Sequence, residues 1–236
     1  MPNSFFQFKQ FTIQQDKCAM KVGTDGTLLG AWVHVSTCRT ILDVGTGTGL
    51  IALMIAQRNR EAIIDAIDID SGAYTQSTEN IANSPFSKQI HTHHVSFQSY
   101  ANTTQKQYDL IISNPPYFAN SLKCPEEKRN LARHNDTLPL TELFAISSSL
   151  LLPHGRIALV LPFQKEEESA CLARQNKLFK IRQTHIIPSA GAKVKRLLVE
   201  FSFQPVLFTP EEIILEKNRN QRTDAYQKLM YDFYLQ

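Results

Sequence analysis

Residues 40–50 read TILDVGTGTGL, and this stretch decides the fold. The apolar and β-branched run Thr40–Val44 predicts a buried strand, and Leu50–Arg58 is predicted to be a helix that starts directly after the glycine turn. The turn glycines are Gly45, Gly47 and Gly49. Backbone N–H groups at such a helix N-terminus point towards a ligand, and glycines let the ligand come close. The stretch is therefore typical of a site for a nucleotide-like molecule.

Short β-branched runs alternate with helical stretches on both sides of this turn, a pattern typical of a parallel sheet covered by helices. The predicted strands are Thr40–Val44, Ile63–Asp68, Gln89–His93, Asp109–Ser113, Arg156–Leu161, Ile181–Ile187 and Arg196–Phe203. The predicted helices are Leu50–Arg58, Gly72–Asn83, Leu140–Leu152, Gln164–Asn176 and Thr223–Leu235. The last two strands are joined by a loop with Pro188 and Gly191, which favours an antiparallel hairpin. We therefore expect an α/β fold with a mostly parallel seven-stranded sheet, helices on both faces and a C-terminal antiparallel hairpin.

The bulk composition agrees with one compact domain spanning residues 1–236. Of the residues, 42% are hydrophobic and 20% are charged, which argues against disorder. The net charge of +3 is too small to indicate non-specific nucleic-acid binding. Composition therefore supports a globular protein and leaves its ligand open.

The cysteines give no metal or disulfide pattern. They are Cys18, Cys38, Cys124 and Cys171, without any C-x-x-C pair. The histidines at 91, 93, 94 and 134 also lack a partner spacing for a metal, and we expect none. Without a signal-peptide core or a run of about 18 apolar residues, we expect a reduced, cytoplasmic setting and no membrane contact.

Three acids accompany the glycine turn. Asp68 closes the second strand, where its carboxylate can accept hydrogen bonds from two ribose hydroxyls. Asp70 is the neighbouring alternative and could instead cap the next helix. Asp43 either fixes the loop by accepting backbone N–H bonds or contacts an amino group of the ligand. Because Leu50 stands where the dinucleotide fingerprint has a third glycine or alanine, an NAD site is disfavoured.

The tetrapeptide Asn114-Pro115-Pro116-Tyr117 follows the fourth strand, at the edge where open parallel sheets bind ligands. A conjugated exocyclic amine is a poor nucleophile, because its lone pair is delocalised. If the Asn114 side-chain oxygen and the Pro115 carbonyl each accept one N–H bond, they orient this amine and favour its developing positive charge. Tyr117 offers a flat face for a nucleobase removed from its stack. The alternative interpretation is that Asn-Pro-Pro only ends a strand.

These motifs resemble the class I methyltransferases of the amino-group type, whose fold is Rossmann-like. In that family the D-x-G-x-G-x-G loop binds S-adenosylmethionine and an NPPY-type tetrapeptide holds the target nitrogen. The segment Phe8–Trp32, FKQFTIQQDKCAMKVGTDGTLLGAW, resembles the start of the bacterial tRNA1(Val) (adenine(37)-N6)-methyltransferases. The similarity also includes DLIISNPPYF, which contains NPPY, and, near the C-terminus, AYQKLMYDFYL. It implies an N-terminal extension, 1–38, over the cofactor pocket of a core formed by 39–236.

The resemblance also implies roles for individual residues. It implies that five residues lie over the cofactor pocket: Lys21, Gly23, Thr24, Asp25 and Gly26. Where many relatives carry an acid for the cofactor's adenine amino group, this chain has Ser96, which becomes the candidate at that position. The resemblance places the insertion Ala119–Pro139 beside the substrate entrance.

A tRNA substrate needs cationic contacts to its phosphates. The candidates are Lys123, Lys128, Arg129 and Arg133 beside NPPY, and Lys193, Lys195 and Arg196 in the hairpin. The family implies methyl transfer from S-adenosylmethionine to N6 of an adenine, at position 37 of valine tRNA, without an obligate protein partner. The rivals are methylation of a release-factor glutamine amide or of a ribosomal RNA guanine N2, a non-catalytic RNA-binding module, and a dehydrogenase.

Overall fold

The computed structural model of the chain describes residues 3–18, 20–116, 138–219 and 221–235. Its strands are β1 (Phe5–Gln7), β2 (Thr12–Gln14), β3 (Thr40–Val44), β4 (Ile63–Asp68), β5 (Ile90–His94), β6 (Tyr108–Ser113), β7 (Leu151–Pro162), β8 (Phe179–Ser189), β9 (Arg196–Ser202), β10 (Glu211–Asn218) and β11 (Gln221–Arg222). Its helices are α1 (Thr24–Trp32), α2 (Leu50–Arg58), α3 (Ser71–Ala82), α4 (Phe97–Thr103), α5 (Leu140–Leu150), α6 (Glu166–Gln175) and α7 (Asp224–Met230), with a 3-10 turn at Phe163–Lys165.

Among the described residues, nine strands form one sheet in the order β11-β10-β8-β9-β7-β6-β3-β4-β5. Neighbours from β5 to β7 pair in parallel, whereas β9 is antiparallel to both β7 and β8. β10 returns to pair in parallel with β8. The strands of this sheet other than β9 and β11 therefore run in one direction, and their carboxyl ends lie at one edge of the sheet.

Alternate residues of the strands face opposite sides of this sheet, as the two-residue period of a strand requires. On one side Ile41 and Ile112 join a buried cluster with α1, α2 and α7. On the other side Leu42 and Ile111 join a cluster with α4, α5 and α6. Helices therefore cover both faces of the sheet.

The predicted fold class is confirmed: the seven expected strands are present, and the antiparallel hairpin is β8–β9. Three details differ. Two unpredicted strands, β10 and β11, extend the sheet, so the hairpin is not its last element. Pro188 lies within β8 rather than in the loop, and Leu151 and Leu152 belong to β7 rather than to the preceding helix.

The segment before the sheet was not assigned any strands from the sequence, yet β1 and β2 pair as a hairpin. Asn80 of α3 ties this segment to the core, because its amide donates to the Gln14 carbonyl and accepts from the Gln14 N–H, both at 2.9 Å. The Lys17 N–H donates to the Gln76 side chain at 2.8 Å. The chain at the end of β2 and after it is thereby held against α3. The division into an extension and a core stays a prediction.

In the described ranges, every helix is too short or too polar to span a lipid bilayer.

Candidate functional site

A cavity of about 420 Å³ opens at the edge where the parallel strands end. Its volume is in the range of small-molecule sites. It lies against the residues that follow β3, β4, β5 and β6. The candidate site residues that line it are Gly45, Gly47, Asp68, its alternative Asp70, Ser96, Asn114, Pro115 and Pro116. The described residues of the two predicted motifs therefore meet at one cavity.

The glycine turn needs a left-handed backbone at all three glycines, with φ of 71° at Gly45, 59° at Gly47 and 81° at Gly49. The N–H groups of Gly45 and Thr46 both donate to the Ile67 carbonyl at 3.0 Å, which fixes the turn against β4. A methyl group on Gly45 would meet no atom within 4 Å, and one on Gly47 would lie 3.9 Å from the Cys18 sulfur. Open space thus adjoins the backbone of the turn, as a closely bound ligand requires.

Asp68 supports this turn directly. Its Oδ2 accepts from the Gly47 N–H at 2.8 Å, and its Oδ1 accepts from the Asp70 N–H at 2.9 Å. Burial raises the pKa of Asp68, while these backbone hydrogen bonds favour the ionised form. Each carboxylate oxygen can accept a further hydrogen bond, so the group can also bind hydroxyls. The prediction that Asp70 caps the next helix is confirmed, because its side chain accepts from the Ala73 N–H.

Asp43 lies beneath the turn and is fully buried rather than exposed to the cavity. Its Oδ2 accepts from the Thr46 hydroxyl at 2.6 Å, so it fixes the loop through a side chain. Burial raises the pKa of Asp43 to about 7, and the charge of Asp68 acts in the same direction. The contact to a ligand amino group stays a prediction.

Asn114 is placed by the pairing of β3 with β6. Val44 lies opposite Ser113 in the sheet, and the Ser113 hydroxyl donates to the Val44 carbonyl at 2.8 Å. The next residues, Gly45 and Asn114, consequently leave the sheet side by side. This brings the glycine turn and the NPPY segment to the same point. Tyr117 lies outside the described residues.

The opposite wall of the cavity comes from the residues around the start of α4. Ser96 lines the cavity, but its hydroxyl caps α4 by accepting from the Ser99 N–H at 3.1 Å. Gln98 also lines the cavity, and its side-chain N–H donates to Glu142 at 2.6 Å. Gln98 was missed in the sequence analysis. Its place just after a parallel strand was the available signal.

The N-terminal segment contributes Cys18 and Met20 to the cavity lining. No local pattern marks these two residues, since tertiary contacts with α3 bring them there. Burial raises the pKa of the Cys18 thiol, which favours its neutral form. Of the predicted residues in this segment, Lys21, Gly23, Thr24 and Asp25 do not line the cavity. A methyl group on the adjacent Gly26 would lie 3.8 Å from the Asn114 side-chain nitrogen, so the first turn of α1 lies close to NPPY.

Arg196 and Asp25, which were assigned to RNA and to the cofactor respectively, contact each other. The Arg196 Nε donates to Asp25 Oδ2 at 2.8 Å. Lys193 and Lys195 are exposed in the β8–β9 loop. The candidates Lys123, Lys128, Arg129 and Arg133 lie outside the described residues. Within the part of the chain that is described, no group of three or more His, Cys, Asp or Glu side chains could hold a metal ion.

The comparisons with known proteins agree with this geometry. The family model of the methyltransferase small domain matches residues 18–183. A predicted O-methyltransferase from Agrobacterium tumefaciens has the same fold, with a TM-score of 0.68 at 17% identity over 89% of this chain and 96% of that one. The fold and the cavity therefore define a class I methyltransferase.

More similar relatives narrow the family further. A tRNA1(Val) (adenine(37)-N6)-methyltransferase from Parabacteroides distasonis is 53% identical over 100% of this chain and 99% of its own. One of the same name from Bacteroides fragilis is 46% identical over the same shares. The chain belongs to the tRNA1(Val) (adenine(37)-N6)-methyltransferase family.

Proposed function

We propose that the cavity binds S-adenosylmethionine and that the chain transfers its methyl group to N6 of an adenine, at position 37 of valine tRNA. The observation that carries this proposal is that the glycine turn and Asn114 leave neighbouring strands side by side. A cofactor on the turn and an amine on Asn114 would then lie next to each other. The relatives' names are the basis for taking this amine to be N6 of the adenine at position 37.

The residues present fit the proposed cofactor. The turn leaves open space at Gly45 and Gly47, and Asp68 has acceptor capacity for ribose hydroxyls at the end of β4. At the far wall, the hydroxyl of Ser96 is engaged in capping α4, whereas the Gln98 amide is held in place by Glu142. We assign the contact to the cofactor's adenine amino group to the Gln98 side-chain oxygen rather than to Ser96.

The bound cofactor supplies a methyl group on a positively charged sulfur. The chain itself has to hold the acceptor amine in line with that methyl group. The Asn114 side-chain oxygen and the Pro115 carbonyl accept the two N–H bonds of the amine, so its lone pair faces the cofactor. These acceptors stabilise the positive charge that develops on the nitrogen. The amine then releases one proton to solvent, and no strong base is required.

Binding measurements test the cofactor assignment. Calorimetry with S-adenosylmethionine and NAD, separately, should give binding of the first only. Gln98→Ala should weaken S-adenosylmethionine binding more than Ser96→Ala does, because the Ser96 hydroxyl already serves α4. Failure of the unaltered protein to bind S-adenosylmethionine would rule the proposal out. Equal affinity of both variants for it would reject the role of Gln98.

The acceptor is tested by offering rival substrates. Methyl-labelled cofactor is incubated with the protein and either tRNA, a peptide chain release factor or ribosomal RNA. We expect label in tRNA alone. Label in the release-factor glutamine or in ribosomal guanine would support those rivals instead, since an NPPY segment suits any conjugated nitrogen.

A further inference from the structure

Two loops of the sheet's other half lie at the same edge as the cavity. One joins β8 to β9 across residues 190–195, and the other joins β10 to β11 around Arg219. They are neighbours, because Ser189 pairs with Glu216 and the Ala190 N–H donates to the Glu216 carbonyl at 3.2 Å. Since β8 and β10 run in the direction of the other parallel strands, both loops lie at the carboxyl edge.

These loops carry an excess of positive charge. Each of three cations there has an acidic partner: Arg196 pairs with Asp25, Lys217 with Asp224 and Arg222 with Glu216. Three further cations are exposed and form no ion pair with any residue that the structure describes. These are Lys193, Lys195 and Arg219, which we call the basic edge. Their charges are available to an external anion.

A continuous series of contacts links the basic edge to the target site. The β8–β9 loop ends at Arg196, which holds Asp25 at 2.8 Å. Asp25 is in the first turn of α1, and the next residue, Gly26, adjoins Asn114. An RNA strand whose target base is bound at Asn114 would therefore pass the first turn of α1 towards the loops.

We propose that Lys193, Lys195 and Arg219 bind backbone phosphates of the tRNA on one side of the target adenine. The proposal rests on the proposed function, because it requires an RNA with one base in the NPPY site. It adds Arg219, which the sequence did not mark, and it gives Arg196 a different role from its neighbours. Arg196 positions α1 through Asp25, whereas the basic edge contacts the substrate. Phosphate contacts of this kind supply affinity and orientation without reading sequence.

The test compares two triple variants with equal changes in net charge. One is Lys193→Gln/Lys195→Gln/Arg219→Gln. The control is Lys88→Gln/Arg174→Gln/Lys177→Gln, whose residues are exposed near the amino ends of β5 and β8, at the opposite edge. The dissociation constant for valine tRNA is measured over a series of salt concentrations, and the affinity for S-adenosylmethionine by calorimetry.

For the basic-edge variant, the slope of log affinity against log salt should decrease by about two to three, roughly one for each phosphate that the variant no longer neutralises. The KM for tRNA should rise, because the variant loses contacts that bind tRNA and that are remote from the transferred methyl group. Affinity for S-adenosylmethionine equal to that of the unaltered protein would show an intact fold. The control variant should keep the original slope.

The outcomes separate this inference from the proposed function. Suppose that the unaltered protein methylates tRNA and that both triple variants keep its slope of log tRNA affinity against log salt. The basic edge then does not contact the substrate. A basic-edge variant that loses S-adenosylmethionine binding as well would contradict the separation between the loops and the cofactor site. If the unaltered protein does not bind tRNA at all, both proposals fail together.

Discussion

At the scale of single residues, Asn114 and Asp68 line one cavity from different strands, and their proposed tasks differ. Asn114→Ala should lower the rate of methyl transfer by about 10²–10³-fold, because it removes the proposed acceptor for the developing charge. It should leave the dissociation constant for S-adenosylmethionine nearly unchanged. Single-turnover kinetics and calorimetry on the same preparation measure the two quantities.

Asp68→Ala is the matched counterpart. It removes the proposed acceptor for ribose hydroxyls and also the bond to the Gly47 N–H. Hydrogen bonds to a charged group contribute about 1.5–3 kcal/mol, so cofactor binding should weaken about tenfold or more. If both variants lose cofactor affinity to the same extent, the assigned division of roles is wrong.

Asp43 gives a prediction about pH. Burial raises its pKa from 3.8 to about 7, so between these values the folded protein holds a proton that the unfolded chain has released. The stability of the cofactor-free protein should therefore fall as the pH rises through this window. Asp43→Asn keeps an acceptor for Thr46 but cannot ionise, so it should remove this part of the fall. Urea unfolding at several pH values measures it, and parallel curves for the two proteins would contradict the account.

Single residues also show where sequence reasoning succeeds. The role of Asp70 as a helix cap follows from a short local pattern, and the structure agrees. The contact between Asp25 and Arg196 spans 171 residues of sequence, so no spacing rule could find it. Arg196 was assigned to RNA because a single cation looks the same whether its partner is external or internal, whereas Asp25 was assigned to the cofactor pocket by the family resemblance.

At the scale of elements, a polar network around the buried carboxylate of Asp65 connects the strands next to the site. Asp65 of β4 accepts hydrogen bonds from Lys106 at 2.8 Å, His93 of β5 at 3.0 Å and Tyr108 of β6 at 2.9 Å. Although its burial opposes ionisation, these donors hold the pKa of Asp65 below its ordinary value. The stabilisation is therefore present at neutral pH and is lost as the pH falls through the acid range.

Asp65→Asn should accordingly lower the free energy of unfolding at pH 7 by about 1–3 kcal/mol. The matched control is Glu61→Gln, which breaks an ion pair with Arg39 whose side chains are both 71% exposed. That control should change the stability by less than about 1 kcal/mol. Denaturant unfolding at pH 7 measures both. Equal losses in the free energy of unfolding for the two variants would show that the network stabilises the fold no more than an exposed ion pair does.

The elements differ in how well the sequence predicted them. The observed bounds of α2 match the prediction, because a glycine turn precedes the helix and its apolar run ends at Gln57 and Arg58. The short helix α4 and the strands β10 and β11 were missed. β10 carries charged residues at both ends, and α4 contains few apolar residues, so packing against the rest of the fold decides their structure.

At the scale of the whole molecule, the direction of the strands explains how the site is assembled. Seven strands end at one edge, so residues distant in sequence converge on the cavity and on the adjacent loops. The alternation of strands and helices made this edge predictable, and with it the meeting of GTGTG and NPPY. The resemblance implied that the N-terminal segment lies over the pocket, but not that Cys18 and Met20 line it, since this depends on how the segment packs against α3.

The net charge of +3 says little about an RNA substrate, whereas the distribution of charge says more. Six cations lie in or beside the two loops, and most of them are exposed. Three of the six have acidic partners. The basic edge has only three cations, so the account predicts that it contributes about two to three to the slope of log tRNA affinity against log salt.

The central claim is tested most directly by identifying the methylated nucleoside and its position. Valine tRNA is incubated with the protein and methyl-labelled S-adenosylmethionine, digested, and analysed by mass spectrometry, with Asn114→Ala as the control. We predict labelled N6-methyladenosine at position 37 with the unaltered protein, and about 10²–10³-fold less label with the variant after the same short incubation. Label in a different nucleoside, or no label although S-adenosylmethionine binds, would contradict the account.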